Sequence, residues 1–310
     1  MDTAGFALLV AFLAGLLLGS FLNVCISRLP RHESIVRPGS HCPQCQAAIR
    51  WYDNIPLLSW AVLRAKCRAC GQPIPWRYPL VELATGVWFG VVVNHALRIV
   101  VGGVSLNTEA AVSLTVETLG AAILGFLLLG LMVMDWETLL LPDAFTLTGI
   151  GIGLVLTFVR AAFLGPTEDQ VLLTRNHIQL TSPGGVVDRG NLFFTGAESV
   201  IMGRVAAICG VALILLLIRW GYKALRHREG MGLGDVKLLA MIAAFLGFWP
   251  AILALFLGVL SASLYGVVLL LRGRAGAASK LAFGSFLCFG GLISAEYGSR
   301  IIESYTALLR

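Results

Sequence analysis

The sequence predicts an all-α polytopic membrane protein with about eight transmembrane helices and a small zinc-binding cytoplasmic loop domain between the first two. Three observations carry this reading. Of 310 residues, 57% are hydrophobic and only 13% charged, against about 25% charged in a soluble globular chain. Mean hydropathy is +0.84, concentrated in runs long enough to cross a bilayer. Four cysteines fall in two C-x2-C pairs within the longest early polar stretch.

The expected spans lie at about 6–26, 78–101, 114–136, 143–164, 200–220, 234–248, 250–271 and 281–298. The first is read as a retained helix rather than a signal peptide, because Asp2 precedes it and basic residues follow it. The sixth is short, and Trp249-Pro250 is expected to mark its turn. Lysine and arginine set the orientation. With loop 28–77 inside, sixteen basic residues fall on the cytoplasmic side and seven outside, a positive-inside pattern that puts both termini outside. Residues 165–199 then form an external loop. The net charge of +6 serves orientation and anionic lipid contact, and no nucleic-acid partner is expected. Three parts follow: a first helix (1–27), a cytoplasmic four-cysteine loop (28–77) and a membrane-embedded core (78–310).

Within the loop, Cys42, Cys45, Cys67 and Cys70 read C-x2-C-x21-C-x2-C. Thiolates so spaced can close a tetrahedral zinc site, and with four ligands no position stays open for chemistry. The metal is therefore expected to be structural, in a loop too small for an ample core. Two disulfides are the competing reading, which a cytoplasmic location disfavours. Cys25, Cys209 and Cys288 stand alone in apolar runs and are expected to pack.

Carboxylates near lipid are costly and mark function. Asp135 closes the third span and Asp235 opens the sixth. These spans run in opposite directions, so both acids arrive at the same side and similar depth. Asp143 follows Pro142 and reads as a helix-start residue. Glu137 reads as interfacial. Asp135 sits at a helix C-terminus, where negative charge is disfavoured, and nothing local offsets it. Two facing carboxylates are the apparatus of an aspartic protease. Like charges about 4 Å apart repel by around 4 kcal/mol at an effective dielectric of 20, so the pair shares a proton. Gly232 and Gly234 are expected to allow unusual backbone conformations and close approach of substrate. Lys237, one turn further on, is grouped with them as support. The five histidines have no plausible serine partner, and no HExxH is present.

The motifs "GSFLNVCISRLP" (19–30), "RWYDNIPLLSW" (50–60), "RYPLVE" (77–82), "MDWETLLLPDAFTL" (134–147) and "GMGLGDVKLLAM" (230–241), with the cysteine pairs, closely resemble the type IV prepilin peptidase family. These are bifunctional leader peptidases and N-methyltransferases of the GxGD membrane aspartic type. The resemblance implies that Asp135 and Asp235 are the catalytic pair. It implies cleavage of prepilins or pseudopilins of type IV pili and type II secretion after a short basic leader, at the cytoplasmic face of the bacterial inner membrane. It further implies methylation of the new N-terminus by S-adenosylmethionine, with the zinc loop belonging to that activity. No cofactor-binding residues can be read from the sequence. Two departures stand out. The family usually carries "PFGP" where this chain reads "AFGS" at 282–285, and loop 165–199 is longer than usual. A proton-coupled transporter or an inactive scaffold with a zinc-stapled loop is the alternative. Acids at the edge rather than the midplane, without an evident repeat, speak against transport.

Overall fold

The computed structural model describes residues 3–102, 108–163, 197–226, 232–273 and 281–308. Helix α1 spans Thr3–Arg28 and is followed by 3-10 turns at Leu29–Arg31 and Trp51–Asn54. The short α2 (Leu58–Val62) lies in the loop. The remaining helices are α3 (Arg77–Val101), α4 (Thr108–Thr138), α5 (Asp143–Phe163), α6 (Ala197–Arg226), α7 (Leu233–Leu246), α8 (Phe248–Leu271) and α9 (Phe283–Leu308). The described residues contain no named strand, only two isolated bridges in the loop.

Every apolar run expected to cross is a helix. Six of them, α1, α3, α4, α5, α6 and α8, are individually long and apolar enough to span a membrane. The other two are not. With 14 residues, α7 reaches only about 21 Å, short of a hydrocarbon core of about 30 Å. The 26-residue α9 dilutes its apolar residues with glycines and with Glu296, Arg300 and Glu303. Eight crossings are therefore not carried by length and composition alone.

Short as it is, α7 lies at the centre. It is apolar on all sides, and Val236 and Leu238 through Ala244 are buried, as expected of a helix enclosed by others. It packs on α4, α5, α6, α8 and α9. Leu124, Leu128, Leu131 and Met134 of α4 complete the core with Leu22 of α1 and Leu287 of α9. Outward-facing residues such as Leu17, Phe158 and Leu264 are apolar and exposed, which suits lipid rather than water. The break between α7 and α8 falls at Gly247, whose φ of 93° lies where other residues are strained. Trp249 and Pro250 instead occupy the first turn of α8, a position that tolerates proline.

The alternating helices gather one set of ends around the loop. Arg77, opening α3, donates to Glu137 near the end of α4 (2.6 Å) and to Ser27 near the end of α1 (3.1 Å). Lys237 near the start of α7 pairs with Asp143 at the start of α5. At the far ends, His95 of α3 meets Glu296 of α9, and Arg160 of α5 meets Glu117 of α4.

Candidate active site and metal centre

Asp135 and Asp235, one hundred residues apart, both lie at the loop end of the bundle. They are 5% and 8% exposed and within Coulombic reach of one another. Asp235 sits in the first turn of α7 and closes on its own N-cap, where its Oδ2 accepts the Gly232 N–H at 3.2 Å. Such a reach back from the third helical position to the N-cap N–H is one half of a capping box.

Asp135 has the non-local partner that its own helix could not supply. Its Oδ2 accepts the backbone N–H of Ser285 at 2.6 Å and lies 3.0 Å from the Ser285 hydroxyl. That hydroxyl also reaches the Met132 carbonyl at 2.8 Å. Ser285 is in the first turn of α9, so Asp135 meets the N–H-rich end of a second helix. Gly284 makes this approach possible: a Cβ there would stand 3.0 Å from the Asp135 Cγ and Oδ2. Sequence reasoning passed over both residues, because 282–285 registered only as a departure from a family motif.

The glycines beside Asp235 behave differently from expectation. Gly232 has an extended backbone (φ −73°, ψ 153°), and neither it nor Gly234 has positive φ. Conformational freedom is therefore not what these positions require. Around Gly232 a Cβ would make only ordinary contacts. A Cβ on Gly234 would lie 3.1 Å from Leu141 Cδ1, and one on Gly284 would lie 3.0 Å from the same methyl. Leu141 of the α4–α5 turn thus packs between the two acidic segments. Lys237 is outside this arrangement, engaged with Asp143 at 2.6 Å on the exposed face. Asp143 opens α5, as its helix-start reading anticipates. Gly230 and the expected outer loop, but for its last residues, lie outside the described residues.

Four loop sulfurs form the second centre. The Sγ atoms of Cys42, Cys45, Cys67 and Cys70 all lie within 4.8 Å of one another, and Cys42 and Cys70 are 3.9 Å apart. Four thiolates about 2.3 Å from zinc stand about 3.8 Å from each other, so the set fits the ion. The two halves repeat one design. The Gln46 N–H bonds Cys42 O and the Cys42 N–H bonds Ala47 O; the Gly71 N–H bonds Cys67 O and the Cys67 N–H bonds Gln72 O. Gln46 and Gly71 both turn through positive φ (59° and 71°). Backbone N–H groups of Cys70 and Ala69 pull the Cys67 thiol down to about 7. At Cys70 the lowering bond from Gln72 is outweighed by desolvation and the neighbouring sulfurs, which push that thiol up to about 11: without a metal the crowded sulfurs share their protons. Arg68 grips Asp53 with two bonds of 2.8 and 2.6 Å and holds that carboxyl below its ordinary range, tying the second cysteine pair to the chain between the pairs. Cys25 and Cys288 are buried as expected, whereas Cys209 is exposed.

Paired buried carboxylates beside a four-cysteine loop, in a bundle of apolar helices, define a polytopic membrane protein with a dicarboxylate centre. Residues 13–96 match the Bacterial Peptidase A24 N-terminal domain and residues 180–267 the Type IV leader peptidase family. The chain is 31% identical to a prepilin leader peptidase/N-methyltransferase of Stutzerimonas stutzeri, covering 97% of this chain and 94% of that protein. It is 30% identical to one of Pseudomonas aeruginosa, with coverages of 96% and 92%. A Myxococcus xanthus relative of the same name is 35% identical, and there the match covers 86% of this chain but 64% of the longer protein. No solved structure matches. The chain belongs to the type IV prepilin leader peptidase/N-methyltransferase family.

Proposed function

We propose that this protein is an aspartic endopeptidase that removes the basic leader from type IV prepilins or pseudopilins, and that it then methylates the exposed amine. The observation that carries the reading is the convergence of Asp135 and Asp235, both buried, at one end of the bundle. One carboxylate takes a proton from the attacking water. The other, protonated, hydrogen-bonds the scissile carbonyl and stabilises its developing charge. Ser285 and the N-cap of α7 hold the two groups in place. Gly232 and Gly234 flank the substrate approach, while Lys237 pairs with Asp143 on the exposed face and takes no part in the chemistry.

The basic residues of loop 28–77 favour its placement at the cytoplasmic face of a bacterial inner membrane, with both termini outside. Zinc on the four cysteines is structural and holds the loop over the helix ends. S-adenosylmethionine, when bound, supplies the methyl group. The substrates are prepilins held in lipid, and nucleic acid has no part.

Purified protein incubated with a prepilin tests this. Mass spectrometry should find the released leader and a mature chain, with one methyl group added when the donor is present. An uncut prepilin in the presence of folded, zinc-loaded protein contradicts the reading.

A further inference from the structure

A cavity of about 610 Å³ lies between the cysteine loop and helices α1 and α3, well inside the roughly 300–1,000 Å³ of small-molecule sites. Its wall carries an unusual group. Glu82 of α3 is 8% exposed, and among the described residues no lysine, arginine or histidine pairs with it. It accepts the Leu57 N–H at 2.9 Å and a hydrogen bond from the Ser20 side chain. Leu57 is held at φ 61°, a region costly for a side chain of its type. The same turn that opens α2 thus leaves a donor on this carboxylate. A buried carboxylate without a cation is costly to keep ionised, and a cationic ligand would offset that cost.

Three further features shape the same end of the fold. Asn23 is 2% exposed; its amide N–H donates to Tyr78 O at 3.0 Å, and its Oδ1 has no partner. Trp60 on the wall meets Trp76 at 4.2 Å between ring centroids with the planes tilted by 52°, and an indole on a cavity wall can contact a planar heterocycle. Lastly, Ser27 on the same wall is bonded by Arg77, which also grips Glu137, two residues beyond Asp135. The cavity thus lies at the same end of the bundle as the paired aspartates.

We propose that this cavity is the methyl-donor site, and that Glu82 faces the positive sulfonium of the adenosyl donor while Trp60 offers a face to its purine. The proposal rests on the methyltransferase reading above. In the transfer, the amine nitrogen forms the new C–N bond as the C–S bond breaks. The C–S electron pair stays on sulfur, and the resulting ammonium loses a proton to water. The by-product is a neutral thioether, for which Glu82 has no charge to meet. Glu82 therefore favours the charged donor over the spent one.

Equilibrium binding of S-adenosylmethionine and S-adenosylhomocysteine to the full chain in detergent tests this, with zinc content reporting the fold. Glu82→Gln should weaken donor binding by roughly tenfold or more, as loss of a buried charge pair does, and weaken binding of the neutral thioether less. Ala48→Trp, which adds bulk to an exposed wall residue, should weaken both, and it decides the matter if Glu82→Gln loses its zinc. If wild type methylates prepilin while both ligands bind folded variants as they bind wild type, or Glu82→Gln weakens the two ligands equally, the assignment of Glu82 and its cavity falls. If wild type cleaves prepilin yet neither binds the donor nor methylates, the methyltransferase reading falls and takes the cavity with it.

Discussion

Ser285 holds Asp135 from 150 residues away in sequence, through a 2.6 Å bond from its backbone N–H and a second contact from its hydroxyl. Geometry so tight makes the neighbouring glycine sensitive. Gly284→Ala puts a methyl group 3.0 Å from the Asp135 carboxylate and from Leu141 Cδ1, so the acid must give by a few tenths of an ångström against its Ser285 bonds. Misplacement of a reacting group by about 1 Å can cost about 10²-fold. We expect Gly284→Ala to lower prepilin cleavage at least about tenfold in a steady-state assay, with the protein still folded. Ser285→Ala keeps the N–H and should cost less than Gly284→Ala; the reverse order would contradict the packing account. Asp143→Asn removes only an exposed pair with Lys237, worth roughly 0–1 kcal/mol, and should leave cleavage and thermal stability close to wild type. Both acids could be singled out from sequence because each is a costly charge at the edge of an apolar run. Ser285 and Gly284 could not, because a contact between distant helices leaves no local pattern. Glu82 was hidden in the same way, since its meaning depends on which loop folds over it.

At the scale of elements, hydropathy made every long helix legible, because each must hide its backbone polar groups within itself. It did not show which helices cross. The 14 residues of α7 are buried by surrounding helices rather than by lipid, and a hydrophobic run looks alike in either setting. The turn after α7 was expected at Trp249-Pro250, yet it falls at Gly247, because positive φ breaks the helix where proline merely begins the next one. The cysteine loop was legible through its spacing. Its two matching halves and the Asp53–Arg68 tie emerge only in three dimensions. The purified protein should contain one zinc per chain by elemental analysis, and a Cys42→Ser/Cys67→Ser variant should contain none. Hydrogen exchange in loop 28–77 should rise in that variant. Cleavage should suffer less than methylation, because the aspartates are held by α7 and α9 rather than by the loop. Intact loop protection without metal would contradict a structural role for zinc.

In the whole molecule, helix ends assemble two centres on one side. Arg77 joins α1, α3 and α4 there, and Lys237 joins α7 to α5. The orientation expected from the sequence, with sixteen basic residues inside and seven outside, rests on the positive-inside bias. Reporter fusions in living cells should therefore place loop 28–77 in the cytoplasm and Arg310 outside; both on one face would refute the expected topology. Asp135 and Asp235 are expected to act as one catalytic pair, which cleavage of a prepilin by single Asn variants checks. Asp135→Asn and Asp235→Asn should each lower the rate by about 10²–10⁴-fold, with zinc content and helicity unchanged. Near-normal cleavage by either folded variant would rule out a two-aspartate mechanism.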